Sequence, residues 1–206
     1  MSIFATPNKQ VAENQYGFTV LFLHGLEGSP NGKKSTHLKK EWAAFSPSLR
    51  TNDMINLRSA CKGDWSTLDL DDIDEALESP YQDALDAVNY VKPDIIVGSS
   101  MGAALLFRLY SKGDYEGAGV FLAPAVPSLI GFDEQKEAAK TVSQFPNVWL
   151  LGEADTVVSN KDNVYLSRIC RGSLMFSPND SHRLENALSA GLIDSAILTA
   201  FEMLNN

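Results

Sequence analysis

The segment Asp94-Ile-Ile-Val-Gly-Ser-Ser-Met-Gly-Ala-Ala104 constrains this chain more than any other. A β-branched run meets a G-x-S-x-G pattern, and small residues follow at once. That order predicts a strand turning sharply into a helix, with Ser100 at the bend and its hydroxyl held out into solvent. The residues two before and two after such a serine must be very small, and they are Gly98 and Gly102. Ala103 and Ala104 let the following helix pack close beneath the turn.

Four further runs resemble the strand that feeds this turn. Residues 18–23 are continuously apolar and end at His24-Gly25; 118–123 and 148–151 are similar, and 173–176 is weaker. Each is short, β-rich and bounded by Gly, Pro or polar residues. Helical periodicity fills the spaces at 80–91, 101–110 and 184–204. Strands alternating with helices predict a parallel sheet covered on both faces. Sites in such sheets form at the carboxyl ends of the strands, here the loops after residues 23, 99, 123 and 151. At 206 residues the chain reads as one domain, 1–206. Residues 1–16 read as a frayed terminus or an edge strand. Residues 124–146 read as a connecting helix or, at most, a very small lid.

A serine nucleophile needs a base, and the chain has three histidines. His24 sits at a strand end and reads as structural. His37 lies among Lys33, Lys34, Lys39 and Lys40 on a solvated helix. His182, in the loop between the last strand and the closing helix, is the expected base. Its orienting acid is expected to be Asp155, just past the strand at 148–151, with Asp180 and Glu153 as rivals. Ser100, Asp155 and His182 then follow the order Ser…Asp…His.

The stretch LHGLEGSPNGKKS at 23–35 supports two readings. A phosphate-binding loop requires G-x-x-x-x-G-K-[ST]. Gly28 and Gly32 stand one residue too close, and Lys34 occupies the Ser/Thr position. The alternative is a loop donating a main-chain N–H to a developing oxyanion. On that reading the donors are Leu26 and Met101. Lys33 and Lys34, just beyond the loop, are candidates for attracting a substrate carboxylate or phosphate.

A formal net charge of −9 argues against nucleic acid and against an anionic membrane surface. No apolar run approaches a membrane span. Cys61 and Cys170 suggest free thiols in a reducing compartment. The first ten residues lack the features of a secretion signal, so the expected location is cytoplasmic.

The segments LHGLEGSP, VGSSMGAA, LLGEADTVV and NDSH, in that order, resemble the small bacterial α/β-hydrolases of the YqiA/YcfP-like esterase type. The resemblance runs from residue 18 onward and is weakest over 58–77. It implies an α/β-hydrolase fold with a mostly parallel central sheet and a serine hydrolase acting on small to medium acyl esters or thioesters, with no cofactor or metal. It carries the triad to Ser100, Asp155 and His182, and the oxyanion donors to Leu26 and Met101. The alternatives are a non-catalytic binding module on the same fold and a C–C or peptide-bond hydrolase using the same triad.

Overall fold

The five apolar runs become five strands: β1 (Val20–Leu23), β2 (Ile95–Ser99), β3 (Ala118–Leu122), β4 (Asn147–Gly152) and β5 (Ser173–Ser177). The structure is a computed structural model, described here for residues 15–206. The expectation for the first sixteen residues therefore lies almost wholly outside the described part. Every strand pairing is parallel, and the strands lie in the order β1-β2-β3-β4-β5. Strands β1 to β4 are buried along their whole length, whereas β5, at the edge, is mostly half-buried. The other edge is covered by Phe45, which pairs with β1 through Phe22 N–H to Phe45 O (2.8 Å) and Phe45 N–H to Val20 O (2.9 Å).

Strand order decides where the helices go. A right-handed crossover between neighbouring parallel strands, repeated in one direction, puts every connecting helix on the same face. Helices α3 (Leu70–Val91), α4 (Met101–Ser111) and α6 (Phe132–Val142) duly cover one face. Their Leu77, Ala84, Leu105, Phe107, Ala139 and Val142 meet Leu21, Ile96, Phe121 and Trp149. The short helices α2 (Asn52–Ala60) and α5 (Val126–Leu129) and helix α7 (Asn160–Ile169) complete that layer. The opposite face needs other cover. It comes from α1 (Lys33–Trp42), which leads outward from β1 to Phe45, and from the terminal pair α8 (Glu185–Ser189) and α9 (Leu192–Leu204). Leu38, Trp42, Ala187, Ile193 and Ile197 meet Val20, Phe22, Val97, Val120 and Leu150 there.

Two local expectations are corrected. The helix expected over 80–91 begins ten residues earlier, with Pro80 inside it. Pro80 removes one helical hydrogen bond, but Ile73, Ala76 and Leu77 continue the buried stripe on its N-terminal side. The closing helix expected over 184–204 is two helices, broken at Gly191 with φ +72°. Helix α2 carries too little periodicity to be legible, burying only Met54. Residues 124–146 form α5 and α6, whose Val126, Leu129, Ala138 and Val142 are buried in the first-face core.

Helix α9 provides much of the cover for the second face, so its buried residues should carry substantial stability. Ile197→Ala, at a fully buried position, is expected to cost about 2–5 kcal/mol, read as a lowered urea midpoint with an unchanged slope.

Candidate active site

All five strands run the same way, so the loops after β1, β2, β4 and β5 leave one edge of the sheet together. Ser100 stands between β2 and α4 with φ 55° and ψ −114°. This region of backbone space is sparsely occupied by non-glycine residues and persists only where the surroundings enforce it. They do so here through main-chain bonds. Ser100 N–H donates to Leu122 O (2.9 Å), while Ser100 O accepts from Ala103 (3.0 Å) and Ala125 (3.1 Å). The glycines of the pattern have separate reasons. A Cβ on Gly98 would lie 2.6 Å from Ala103 Cα, and one on Gly102 would lie 2.0 Å from Leu23 O. Gly102 therefore lets the first turn of α4 rest directly on the end of β1.

Asp155 and His182 complete a hydrogen-bonded chain with the serine. His182 Nε2 is 2.8 Å from Ser100 Oγ, and its Nδ1 is 2.8 Å from Asp155 Oδ2. A carboxylate can only accept, so Nδ1 carries the proton and Nε2 is left to accept from the serine hydroxyl. The other Asp155 oxygen accepts from the amides of Val157 (2.8 Å) and Val158 (3.0 Å). Burial pushes the Asp155 pKa up, but the His182 bond and the two amides outweigh it. The net direction is below the ordinary carboxylate value. The Asp155 side chain is almost fully buried while His182 remains partly open, which leaves the imidazole accessible from solvent.

The loop after β1 lies against the serine. A Cβ on Gly25 would be 3.1 Å from Ser100 Cβ. Gly28 N–H donates to Gly25 O at 2.9 Å, closing a tight turn with Leu26 and Glu27 at its centre. Among the described residues, the Leu26 and Met101 amides donate to no turn or loop carbonyl. Met101 opens α4, where helix geometry leaves the first N–H groups without partners. Met101 directly follows the serine, and Leu26 directly follows Gly25, the residue that lies against it.

His24 is buried, and its Nδ1 donates to Gly25 O at 2.9 Å. Burial lowers its pKa and keeps the ring neutral. The lysines beyond the loop reach toward the histidine loop. Lys34 Nζ donates to Arg183 O (2.6 Å), and Lys33 Nζ pairs with Glu185 (3.0 Å). Two lysines at a helix N-terminus oppose the helix dipole; these contacts explain their presence. Asp180, a rival acid, uses its oxygens on its own loop, while the imidazole bonds Asp155. Asp180 accepts from Ser177 Oγ (2.9 Å) and from the amides of Ser181 (3.0 Å) and Ala187 (2.7 Å), and so shapes the loop that presents His182. The Glu153 carboxylate accepts a long bond from Asn179 N–H (3.4 Å).

Sequence reasoning missed Glu27, Arg58 and Arg183. Glu27 pairs with Arg58 from α2 and, at 3.5 Å, with Arg183. Adjacency to Leu26 and to His182 marks Glu27 and Arg183, but no pattern marks Arg58. Clefts of about 400 and 330 Å³ lie elsewhere, one beside Tyr115 and one between α6 and α7. Side-chain geometry, not cavity size, locates the site.

No protein-family model and no curated protein matches this chain. Solved structures do. Est1E from Butyrivibrio proteoclasticus superposes with a TM-score of 0.65 at 12% identity, covering 91% of this chain and 88% of its own. A Xanthomonas campestris protein assigned to the alpha/beta hydrolase superfamily gives a TM-score of 0.57 at 18% identity, over 88% and 97% of the two chains. The esterase domain of a Rhodothermus marinus protein gives 0.54 at 16%, over 91% and 95%. The chain has the α/β-hydrolase fold.

Two outcomes follow from the geometry. Gly102→Ala must displace the β1–α4 contact and should either fail to fold or lose about 3 kcal/mol or more, measured by urea unfolding. A carboxyl whose folded pKa is depressed contributes stability above its unfolded pKa, and that contribution is lost as pH falls through the folded value. The stability difference between wild type and Asp155→Asn should therefore be constant at neutral pH. It should start to shrink from about pH 5, about one unit above the ordinary value of 3.8, and go on shrinking as pH falls, in unfolding curves taken from about pH 6 down to about pH 3.

Proposed function

We propose that the chain is a serine hydrolase that cleaves carboxylic esters or thioesters of small to medium acyl groups through an acyl-enzyme. The observation that carries this reading is the continuous chain Asp155 Oδ2–His182 Nδ1 and His182 Nε2–Ser100 Oγ, each link 2.8 Å. His182 takes the hydroxyl proton as Ser100 Oγ attacks the acyl carbonyl. Asp155 holds the imidazole in the required tautomer and stabilises the imidazolium that forms. The Leu26 and Met101 amides receive the negative charge developing on the carbonyl oxygen, a role worth ~2.7–4 kcal/mol per donor elsewhere. His182 then returns the proton to the departing alcohol or thiol. In the second half it activates water to release the acid and restore Ser100.

Two further observations support ester chemistry. The four segments LHGLEGSP, VGSSMGAA, LLGEADTVV and NDSH resemble YqiA/YcfP-like esterases. Est1E has also been solved with ferulic acid bound, and a further neighbour in fold belongs to work on LipS and LipT, described as lipolytic enzymes.

A fluorophosphonate probe should label the wild type at Ser100 and leave Ser100→Ala unlabelled. Hydrolysis of p-nitrophenyl esters and acyl thioesters should fall by about 10⁴-fold or more in Ser100→Ala and by about 10⁴-fold in kcat for Asp155→Asn. An unlabelled wild type, or equal labelling of Ser100→Ala, would overturn the reading in favour of a binding role.

A further inference from the structure

Two guanidinium groups converge on one carboxylate at the mouth of the site. Glu27 lies in the turn that carries the Leu26 amide, and its two oxygens face Arg58 Nη1 and Arg183 Nη2. Arg183 directly follows His182 in the chain, and its carbonyl is fixed by Lys34 Nζ at 2.6 Å. The hydrogen bond from Arg58 holds the Glu27 pKa below its usual value, with further contributions from the charges of Arg58, Arg183 and His182. The cluster thus sits within electrostatic reach of the imidazole.

Charge does not balance within this cluster. Two cations share one acid, in a chain whose overall charge is −9. Each arginine has five N–H donors, and only a fraction are used on Glu27. The pairs are also easily exchanged: side-chain exposure is 41% for Arg58, 59% for Glu27 and 73% for Arg183. Ion pairs this open contribute little to stability. An incoming oxyanion can therefore join or replace the Glu27 carboxylate at little cost, and guanidinium groups match carboxylate and phosphate geometry in a bidentate way.

Position says which part of a substrate the cluster would meet. In acyl transfer the leaving group departs next to the base that protonates it, so it lies on the His182 side. Arg183 is the residue after that base. We propose, on the basis of the serine-hydrolase reading above, that the site selects acyl esters or thioesters whose leaving alcohol or thiol bears a carboxylate or phosphate, held by Arg58 and Arg183. Glu27 competes with that group for the arginines. Lys33 and Lys34 tether the histidine loop through Glu185 and the Arg183 carbonyl.

The test compares 3-acetoxybenzoate with its neutral methyl ester, and in a second arm 3-acetoxyphenyl phosphate, all on the full chain. Arg58→Gln/Arg183→Gln should lower the anionic-to-neutral ratio of kcat/KM about tenfold, the size expected for losing hydrogen bonds to a charged group. The loss should appear mainly in KM. Glu27→Gln should move the ratio the other way, by lowering KM for the anion. The ratio in wild type should fall as salt is added. Whichever anion shows the larger ratio identifies the preferred group. A ratio unchanged in both variants, with wild type still labelled by the fluorophosphonate and still cleaving the methyl ester, overturns the anion proposal and leaves the hydrolase reading standing. Absence of labelling and of hydrolysis on every ester brings down both.

Discussion

The site depends on one close contact between main chains. At Gly102 the first turn of α4 rests on the carbonyl of Leu23, with 2.0 Å where a Cβ would have to go. That approach brings the β1 loop beside the serine. It also sets the first residue of α4, Met101, directly after that serine. Any side chain at 102 would push α4 off the end of β1. The strained Ser100 backbone, held by Leu122, Ala103 and Ala125, is the other half of the same device. Strain there is tolerated because β2 and β3 are rigid, buried and parallel.

The histidine is held differently, by polar contacts instead of close packing. Its loop hangs between the edge strand β5 and the short helix α8. Asp180 ties the loop to Ser177 and Ala187 from within, and Lys34 reaches across from α1 to the Arg183 carbonyl. Burial lowers the Lys34 pKa, and the charges of Asp180 and Glu185 offset only part of that shift. An edge strand offers hydrogen bonds on one side only, so a loop leaving it needs such tethers to keep an imidazole within 2.8 Å of a serine.

What was legible in the sequence follows from the same division. Strands buried on both faces must be apolar throughout, and β1 to β4 announced themselves for that reason. The G-x-S-x-G turn was legible because main-chain contact admits only glycine at 98 and 102. Adjacency to His-Gly and to the serine is also what points to Leu26 and Met101 as the proposed donors. The start of α3 was not legible because Pro80 reads as a boundary when tertiary burial of Ile73 and Leu77 is unknown. The break at Gly191 was hidden because Leu188 and Leu192 keep helical spacing across it. Lys33 and Lys34 suggested a substrate anion. Their partners, Glu185 and Arg183 O, lie about 150 positions away in sequence, beyond the reach of any local pattern.

The connection after β3 bears on how a substrate would enter. It begins with Ala125 N–H bonded to Ser100 O at 3.1 Å, and Asn163 Nδ2 on α7 holds Pro124 O at 3.0 Å. Val126 and Leu129 are then buried against the first-face core. Lifting α5 away from the serine would break a bond that maintains the Ser100 backbone and expose apolar side chains at the same time. Such a segment is better suited to fixing the wall of a site than to opening over it. Glu27, Arg58 and Arg183 are exposed at the mouth, so on the proposal made above discrimination there would rest on charge more than on closure.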